Sequence, residues 1–337
     1  MIPSKLKRGR TCSILATALA FVVLTGLNML SKREAAELPA EFRRPYMLMQ
    51  YESENAPPAP RIIRFEGDPV SASTNLSWLL TEWRAGDTVN VVTGESGTQQ
   101  EIVLVRRFST LDMATYLSVG AVFLLFALVV TLRYRDRGYA PVLLGVATAT
   151  AAMVLTDWGT LTVHGPALNL LLRAVFDVGI WTVPALFFRF SCSYPREKGT
   201  ALCRLRVAFT IVAVFGVITS LACLAAIFLF GVHVGQTPYV ALHGMVNDVF
   251  IIVGLLATVA NFEHSALIIR DAHERKNVYW VLLGVIFGPL VYVFLILVPR
   301  ILAGGEFVSD TVMEYTLLFA PIMFLHALRR EGNRRDL

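Results

Sequence analysis

Charge is scarce in this chain. Asp, Glu, Lys and Arg make up 16% of its 337 residues, against about a quarter in ordinary soluble domains, which excludes a molecule whose whole surface faces water. Cysteine is also sparse: Cys12, Cys192, Cys203 and Cys223 show no CxxC or Cys/His spacing, so a structural zinc site is not expected. None of them lies between residues 31 and 111, so no disulfide staples that hydrophilic segment. The histidines supply no H-E-x-x-H pair, because His273-Glu274 is followed by Arg275, Lys276 and Asn277. The second ligand of an intramembrane metalloprotease is therefore missing. No P-loop and no G-x-G-x-x-G opens a helix, and the sequence runs only nine residues past Leu328. An ATP-binding domain, a catalytic centre and a bound cofactor are not expected.

What the chain has in abundance is apolar length. Apolar residues make up 55% of it, gathered into eight stretches at approximately 12–30, 112–132, 140–158, 169–192, 206–231, 243–268, 278–299 and 311–328. Each is long enough to cross a hydrocarbon core of about 30 Å. Basic residues cluster at alternate ends: Lys5 to Arg10, Arg133 to Arg137, Arg196 to Arg206, Arg270 to Lys276 and Arg329 to Arg335. The other short gaps (159–168, 231–242 and 301–310) hold no Lys or Arg. Short-loop Lys/Arg bias marks the cytoplasmic side, so both termini are expected there and residues 32–111 outside. The fold expected is an all-α polytopic bundle of about eight transmembrane helices, with a small α+β extracytoplasmic domain between the first two. The division is 1–31 basic end and anchor, 32–111 outer domain, 112–330 seven-helix block and 331–337 tail. Asn28-Met29-Leu30-Ser31 offers no small-x-small cleavage pattern, so the first stretch reads as an uncleaved anchor rather than a signal peptide. The net charge of +5 is explained by the basic clusters facing lipid headgroups, and nucleic acid is not an expected partner.

Within the outer segment, Arg61 to Phe65 reads as a strand and Glu66-Gly67-Asp68-Pro69 as a turn. Leu76, Leu79, Leu80 and Trp83 mark one face of a helix behind Ser73-Thr74-Asn75. Two further strands, 88–92 and 100–106, are joined by Gly94-Glu95-Ser96-Gly97. That tetrapeptide matches the G-x-S-G of rhomboid serine proteases, but between two strands it reads as a hairpin turn.

Ionisable residues inside membrane spans are rare and mark function or a paired contact. By depth, Asp157, Arg173, Asp177, His243, Asn247, Asp248, Arg300 and Glu314 all fall in the outer half of the expected bundle. Together they suggest a polar pocket binding a peptide or small hydrophobic signal, with Trp158 and Trp181 as apolar walls. The alternative is a set of structural contacts, beginning with an i,i+4 pair between Arg173 and Asp177. Pro184, Pro289 and Pro321 interrupt spans and permit kinks.

Two resemblances follow from these residues. Ile62, Phe65, Gly67, Val70, Leu76, Leu80, Gly86, Asp87, Val89, Val91, Gly97, Ile102 and Leu104 resemble the C-terminal half of a bacterial PDZ domain. The glycine-rich loop by which such domains hold a peptide carboxylate has no counterpart, since no glycine occurs between Gly26 and Gly67. The run from Arg270 through Trp280-Val281-Leu282-Leu283-Gly284 and Pro289 to Ala320-Pro321-Ile322-Met323-Phe324 resembles the membrane part of ComP-like bacterial sensor histidine kinases and related PP2C-type phosphatase sensors. Phe187 to Arg196 resembles their boundary motif, with Tyr194 in place of the usual Phe. The resemblance implies an inner-membrane sensory input module, expected to be a homodimer, that drives a cytoplasmic kinase or phosphatase partner. An N-terminal fragment of a split kinase, and a PDZ-type membrane adaptor or chaperone for envelope proteins, are the alternative readings.

Overall fold

The computed structural model describes residues 23, 25–29, 32–39, 42, 62–70, 79–94, 97–156, 166–199, 202–232, 237–303, 308 and 313–333. The first apolar stretch lies largely outside them, as do residues 71–78, on which the start of the outer helix was expected.

The strands are β1 (Ala36–Glu37), β2 (Ile62–Phe65), β3 (Asp68–Pro69), β4 (Thr88–Thr93), β5 (Thr98–Val103) and β6 (Val105–Arg106). β3, β2, β4 and β5 lie side by side in that order, each pair antiparallel, while β1 pairs separately with β6. The β2–β3 turn runs through Glu66 (φ 47°) and Gly67 (φ 87°), the consecutive positive φ angles that a tight hairpin turn requires. β4 and β5 pair without a break from Thr88↔Val103 to Thr93↔Thr98, as the two arms of a hairpin. Strand alternation turns Val89, Val91 and Ile102 inward, where they meet Phe65, Leu79, Leu80 and Leu104. The same buried cluster takes in Cys223, Leu224 and Tyr239 of the helical part. The core of the sheet is thus continuous with one end of the bundle, called here the sheet end.

The helices are α1 (Thr110–Arg133), α2 (Ala140–Thr156), α3 (Pro166–Ser193), α4 (Arg206–Phe230), α5 (Asn247–Ile268), α6 (Ala272–Phe287) and α7 (Phe319–Asn333). Five helical runs are long and apolar enough to cross a membrane: Thr110–Arg133, Ala167–Ser193, Cys203–Phe230, Asn247–Ile268 and Ala272–Leu302. α2 is apolar but shorter. The architecture is that of a multi-pass membrane protein with a small sheet. α3 is its hub, packing on α2, α4 and α5, and α6 joins α5 to α7. The interior is filled by aromatic rings from distant parts of the chain, with Phe190 within 6.4 Å (centroid to centroid) of Tyr139, Tyr194, Phe262 and Phe324.

Local chemistry explains the helix ends. Ser109 caps α1 in a reciprocal box: its hydroxyl accepts from the Asp112 amide at 3.2 Å, and the Asp112 carboxylate accepts from the Ser109 amide at 2.7 Å. Asp271 accepts from the amides of His273 and Glu274, so α6 begins at Ala272 rather than at the expected 278. His273-Glu274 therefore belongs to a helix N-terminus and not to a loop. Of the three prolines, Pro184 sits inside an unbroken α3. Pro289 opens a new segment after Gly288, and Pro321 lies in the first turn of α7. Two π-helical stretches, Leu242–Val246 and Val293–Leu297, interrupt the sixth and seventh expected spans. Such bulges frequently accompany functional sites.

The end of the first apolar stretch and the residues just after it are fastened to the bundle. Asn28 donates from Nδ2 to the carbonyl of Leu155 at 2.8 Å. Fully buried Lys32 places Nζ 3.6 Å from the centroid of the Tyr116 ring and 4.4 Å from that of Phe108. Aromatic faces attract an ammonium most strongly where water is excluded.

Candidate functional site

Three helical elements bring polar side chains together inside the sheet end of the bundle. α3 contributes Asp177 and, one turn further on, Trp181, which lie on one face because residues four apart share it. α4 contributes Ser220. The turn Tyr239–Ala241 and the π-helical segment after it contribute Tyr239 and His243, again four apart. The Tyr239 hydroxyl sits 3.0 Å from both carboxylate oxygens of Asp177. His243 Nε2 is 3.3 Å from Asp177 Oδ1 and 3.3 Å from Ser220 Oγ. Trp181 Nε1 donates to Ser220 Oγ at 2.9 Å. The Tyr239 ring lies 4.4 Å from the His243 ring, and Trp181 and Phe176 border the imidazole at 6.3 and 6.4 Å.

Asp177 and Tyr239 are fully buried, and His243 is 5% exposed. Among the described residues the network is closed off from solvent. Its composition of Ser, His and Asp invites comparison with a hydrolytic triad, but the geometry differs. A triad needs the carboxylate on one imidazole nitrogen and the hydroxyl on the other; here both approach Nε2. What this arrangement can do is hold a carboxylate and an imidazole in a water-poor interior, where each is sensitive to the other's charge.

Of the residues expected to cluster, the structure joins Asp177 to His243 directly. Asp248 meets Arg300 instead, Nη1 to Oδ2 at 3.7 Å. Arg173 is fully buried on the Asp177 face of α3, its guanidinium 5.8 Å from the centroid of the Phe176 ring. Asp177 Oδ1 faces His243 Nε2, with Arg173 one turn away on the same helix. Asn247 and Glu314 are buried, and the Asn247 amide has no hydrogen-bond partner among the described residues. Asp157 and Trp158 lie outside the described residues. Tyr239 and Ser220 were not anticipated from sequence. Tyr239 was readable from its four-residue spacing to His243, whereas Ser220 carries no comparable signal within its apolar run.

A second polar group forms at the opposite end. Tyr139 donates its phenol to Glu331 Oε2 at 2.7 Å, and Arg137 lies 3.4 Å from Glu331 Oε1. His273 Nε2 is 3.2 Å from the Arg330 carbonyl, and Arg196 pairs with Glu274. The end of α7 is thereby tied both to the α1–α2 connection and to the start of α6. Burial, then the hydrogen bond and charge of Glu331, push the Tyr139 phenol up; burial, then Glu331 and Glu274, do the same for Tyr194.

Lys198 is also drawn inward here, donating to the Ser191 carbonyl. Burial pushes its pKa down to about 8, with the neighbouring Cys203 and Cys192 pulling the other way. The folded state holds this proton less tightly than the unfolded chain, whose lysine titrates near 10.5. Stability should therefore rise between about pH 8 and 10, and that gain should be absent once the pH falls through 8. Lys198→Met is expected to raise stability at pH 7 by about 1–2 kcal/mol and to flatten the rise. Denaturant midpoints in detergent at pH 7 and 9.5 check both.

Comparison with protein-family models, with curated proteins and with solved structures finds no match. The functional reading therefore rests on the residues themselves.

Proposed function

We propose that this chain is a sensory input protein of the bacterial inner membrane. It detects an extracytoplasmic or membrane-borne signal and relays it to a cytoplasmic kinase or phosphatase partner. The observation that carries the reading is the buried network of Asp177, Tyr239, His243, Ser220 and Trp181. Ionisable groups are costly inside a bilayer and mark functional positions by default, and here one of them, Asp177, is hydrogen-bonded by Tyr239, which shares a buried cluster with the sheet core. In this reading the sheet is a PDZ-like outer domain, eight helices span the membrane, both termini are cytoplasmic and the protein acts as a homodimer. The resemblance to ComP-like sensor kinases supports the same assignment. A signal shifts a two-state equilibrium only if it binds the two states with different affinity. A peptide or small hydrophobic molecule reaching the sheet end would do so by loosening the closed network.

The test is a fusion of a histidine-kinase transmitter after Leu337, assayed for autophosphorylation in membrane vesicles. Asp177→Asn and Tyr239→Phe are expected to change the activity about fivefold or more, the usual scale of coupling between sites. Glu331→Ala, which releases the last helix from Tyr139 and Arg137, should abolish that dependence. Phe215→Leu, on a two-thirds exposed face of α4, should leave activity unchanged. Equal activity in all four variants would remove the reading.

A further inference from the structure

Cys192, in the last turn of α3, and Cys203, in the 3-10 turn Leu202–Leu205 before α4, are both buried. A single amide from a third element reaches both sulfurs. Asn261 Nδ2 of α5 lies 3.5 Å from Cys192 Sγ and 3.7 Å from Cys203 Sγ, and it donates to Ser191 Oγ at 2.8 Å. The two thiols also interact directly with one another. Between them in sequence stands Lys198, held in place twice. Its backbone amide donates to the Cys192 carbonyl at 3.0 Å, and its ammonium donates to the Ser191 carbonyl. That ammonium lies 5.4 Å from the centroid of the Phe262 ring and within electrostatic reach of both thiols.

Buried cysteines serve routinely as small apolar fillers, but a filler gives no reason to bring a half-buried lysine against them. Burial and the neighbouring sulfur of Cys203 disfavour the thiolate of Cys192, the reactive form, and Lys198 is the cation that opposes them. We propose that Cys192 and Cys203 form a reversible dithiol–disulfide site, with Lys198 as the base and counter-cation that activates it. The oxidant class is a hydroperoxide. The neutral amine of Lys198 takes the proton of one thiol. The resulting thiolate attacks a peroxide oxygen and the O–O bond breaks. The leaving hydroxide takes the proton from the Lys198 ammonium and departs as water, leaving a sulfenic acid. The second thiolate, formed in the same way, attacks that sulfur; the S–S bond forms, the S–O bond breaks and a second water leaves. Two thiols and one hydrogen peroxide thus give one disulfide and two waters, with two electrons passing from sulfur to oxygen. An external dithiol reverses the change. The basic clusters of the sequence assign this end to the cytoplasmic side, where disulfides are rare and those that form are usually transient and redox-sensing. The bond would staple the end of α3 to the start of α4, beside Asn261 of α5.

The full chain in liposomes would be treated with hydrogen peroxide at pH 7.5, denatured and labelled with a maleimide mass tag. Of the four cysteines, two are expected to lose their tag and regain it after dithiothreitol, with a Cys192–Cys203 cross-linked peptide found by mass spectrometry. Cys223→Ser should leave this bond intact, and Cys203→Ser should stop at a dimedone-reactive sulfenic acid. Lys198→Gln should slow oxidation about tenfold, through loss of the thiolate-stabilising charge. Four tags retained after peroxide, or a bond involving Cys12 or Cys223 in place of this pair, would overturn the site. An unchanged rate in Lys198→Gln would overturn the role given to the lysine.

Discussion

Replacing Asp177 with alanine is expected to lower folding stability by about 3–5 kcal/mol, the range seen when one member of a buried charged pair is removed. The carboxylate accepts from the Tyr239 hydroxyl and faces His243 Nε2, and the buried guanidinium of Arg173 lies one turn away on the same helix face. Alanine would leave a phenol, an imidazole and a nearby guanidinium in an interior without their shared anion. Asparagine keeps an oxygen acceptor but not the charge, so about 1–2 kcal/mol is expected for Asp177→Asn. Tyr239→Phe removes one hydrogen bond only. Interhelical hydrogen bonds inside membranes average about 0.6 kcal/mol, and that sets its scale. The order Asp177→Ala, Asp177→Asn, Tyr239→Phe is the discriminating result, measured by reversible unfolding in mixed micelles. If Asp177→Ala unfolded within about 1 kcal/mol of the parent, the carboxylate would not be the centre of the network.

Helix positions were legible where a long apolar run ends against charge. The run expected at 112–132 is Thr110–Arg133, and the one expected at 206–231 is Arg206–Phe230. In both cases a basic residue, Arg133 or Arg206, stands at the end of the helix. The starts of the sixth and seventh expected spans were less legible because hydropathy does not set them: helix begins after Pro238 in one and behind the Asp271 cap in the other. The π-helical stretches leave no sequence signature, since they consist of a shift in backbone hydrogen bonding. At the site, Asp177 and His243 announced themselves as titratable residues in apolar runs. Their pairing did not, because it depends on how α3 lies against the π-helical segment after Tyr239. The same holds for the sheet. Strand alternation and the Gly86-Asp87 break were readable, while the β1–β6 pairing and the burial of Lys32 arise from long-range docking.

The sheet core and the network share one residue. Tyr239 has its hydroxyl on Asp177 and its ring in the cluster that continues into the sheet core. A displacement of the sheet would therefore act on the hydrogen bond and the ring packing together. At the far end Glu331 holds α7 to Tyr139 and Arg137, so a change in how the helices pack has one defined element to move. Coupling between two such ends requires a bistable element rather than a contact path alone, and α3 is the candidate. It carries Asp177 and Trp181 and, near its far end, Phe190 against Tyr139 and Phe324.

Trp181→Ala is expected to cost about 3–5 kcal/mol as a large aromatic deletion, in addition to the indole donor lost from Ser220. The reason lies in how closely α3 and α4 approach. Gly216 sits against the indole so tightly that an added Cβ would overlap the ring. The glycine is there because tryptophan is opposite, and the two should behave as one unit. Gly216→Ala alone is expected to destabilise by about 1–3 kcal/mol through overpacking. With Trp181→Phe, the smaller ring opens space where the new methyl group must go. The double variant should therefore be more stable than the two single effects added together, with a favourable interaction of about 1 kcal/mol or more, as is usual for residues in direct contact. Strict additivity would show that the ring and the glycine are not packed against each other. The cycle isolates the ring–glycine contact, because phenylalanine lacks the indole N–H in both backgrounds. Whatever loss remains in Trp181→Phe/Gly216→Ala then combines the reduced ring area with the hydrogen bond lost from Ser220, the hydroxyl that also faces His243 Nε2.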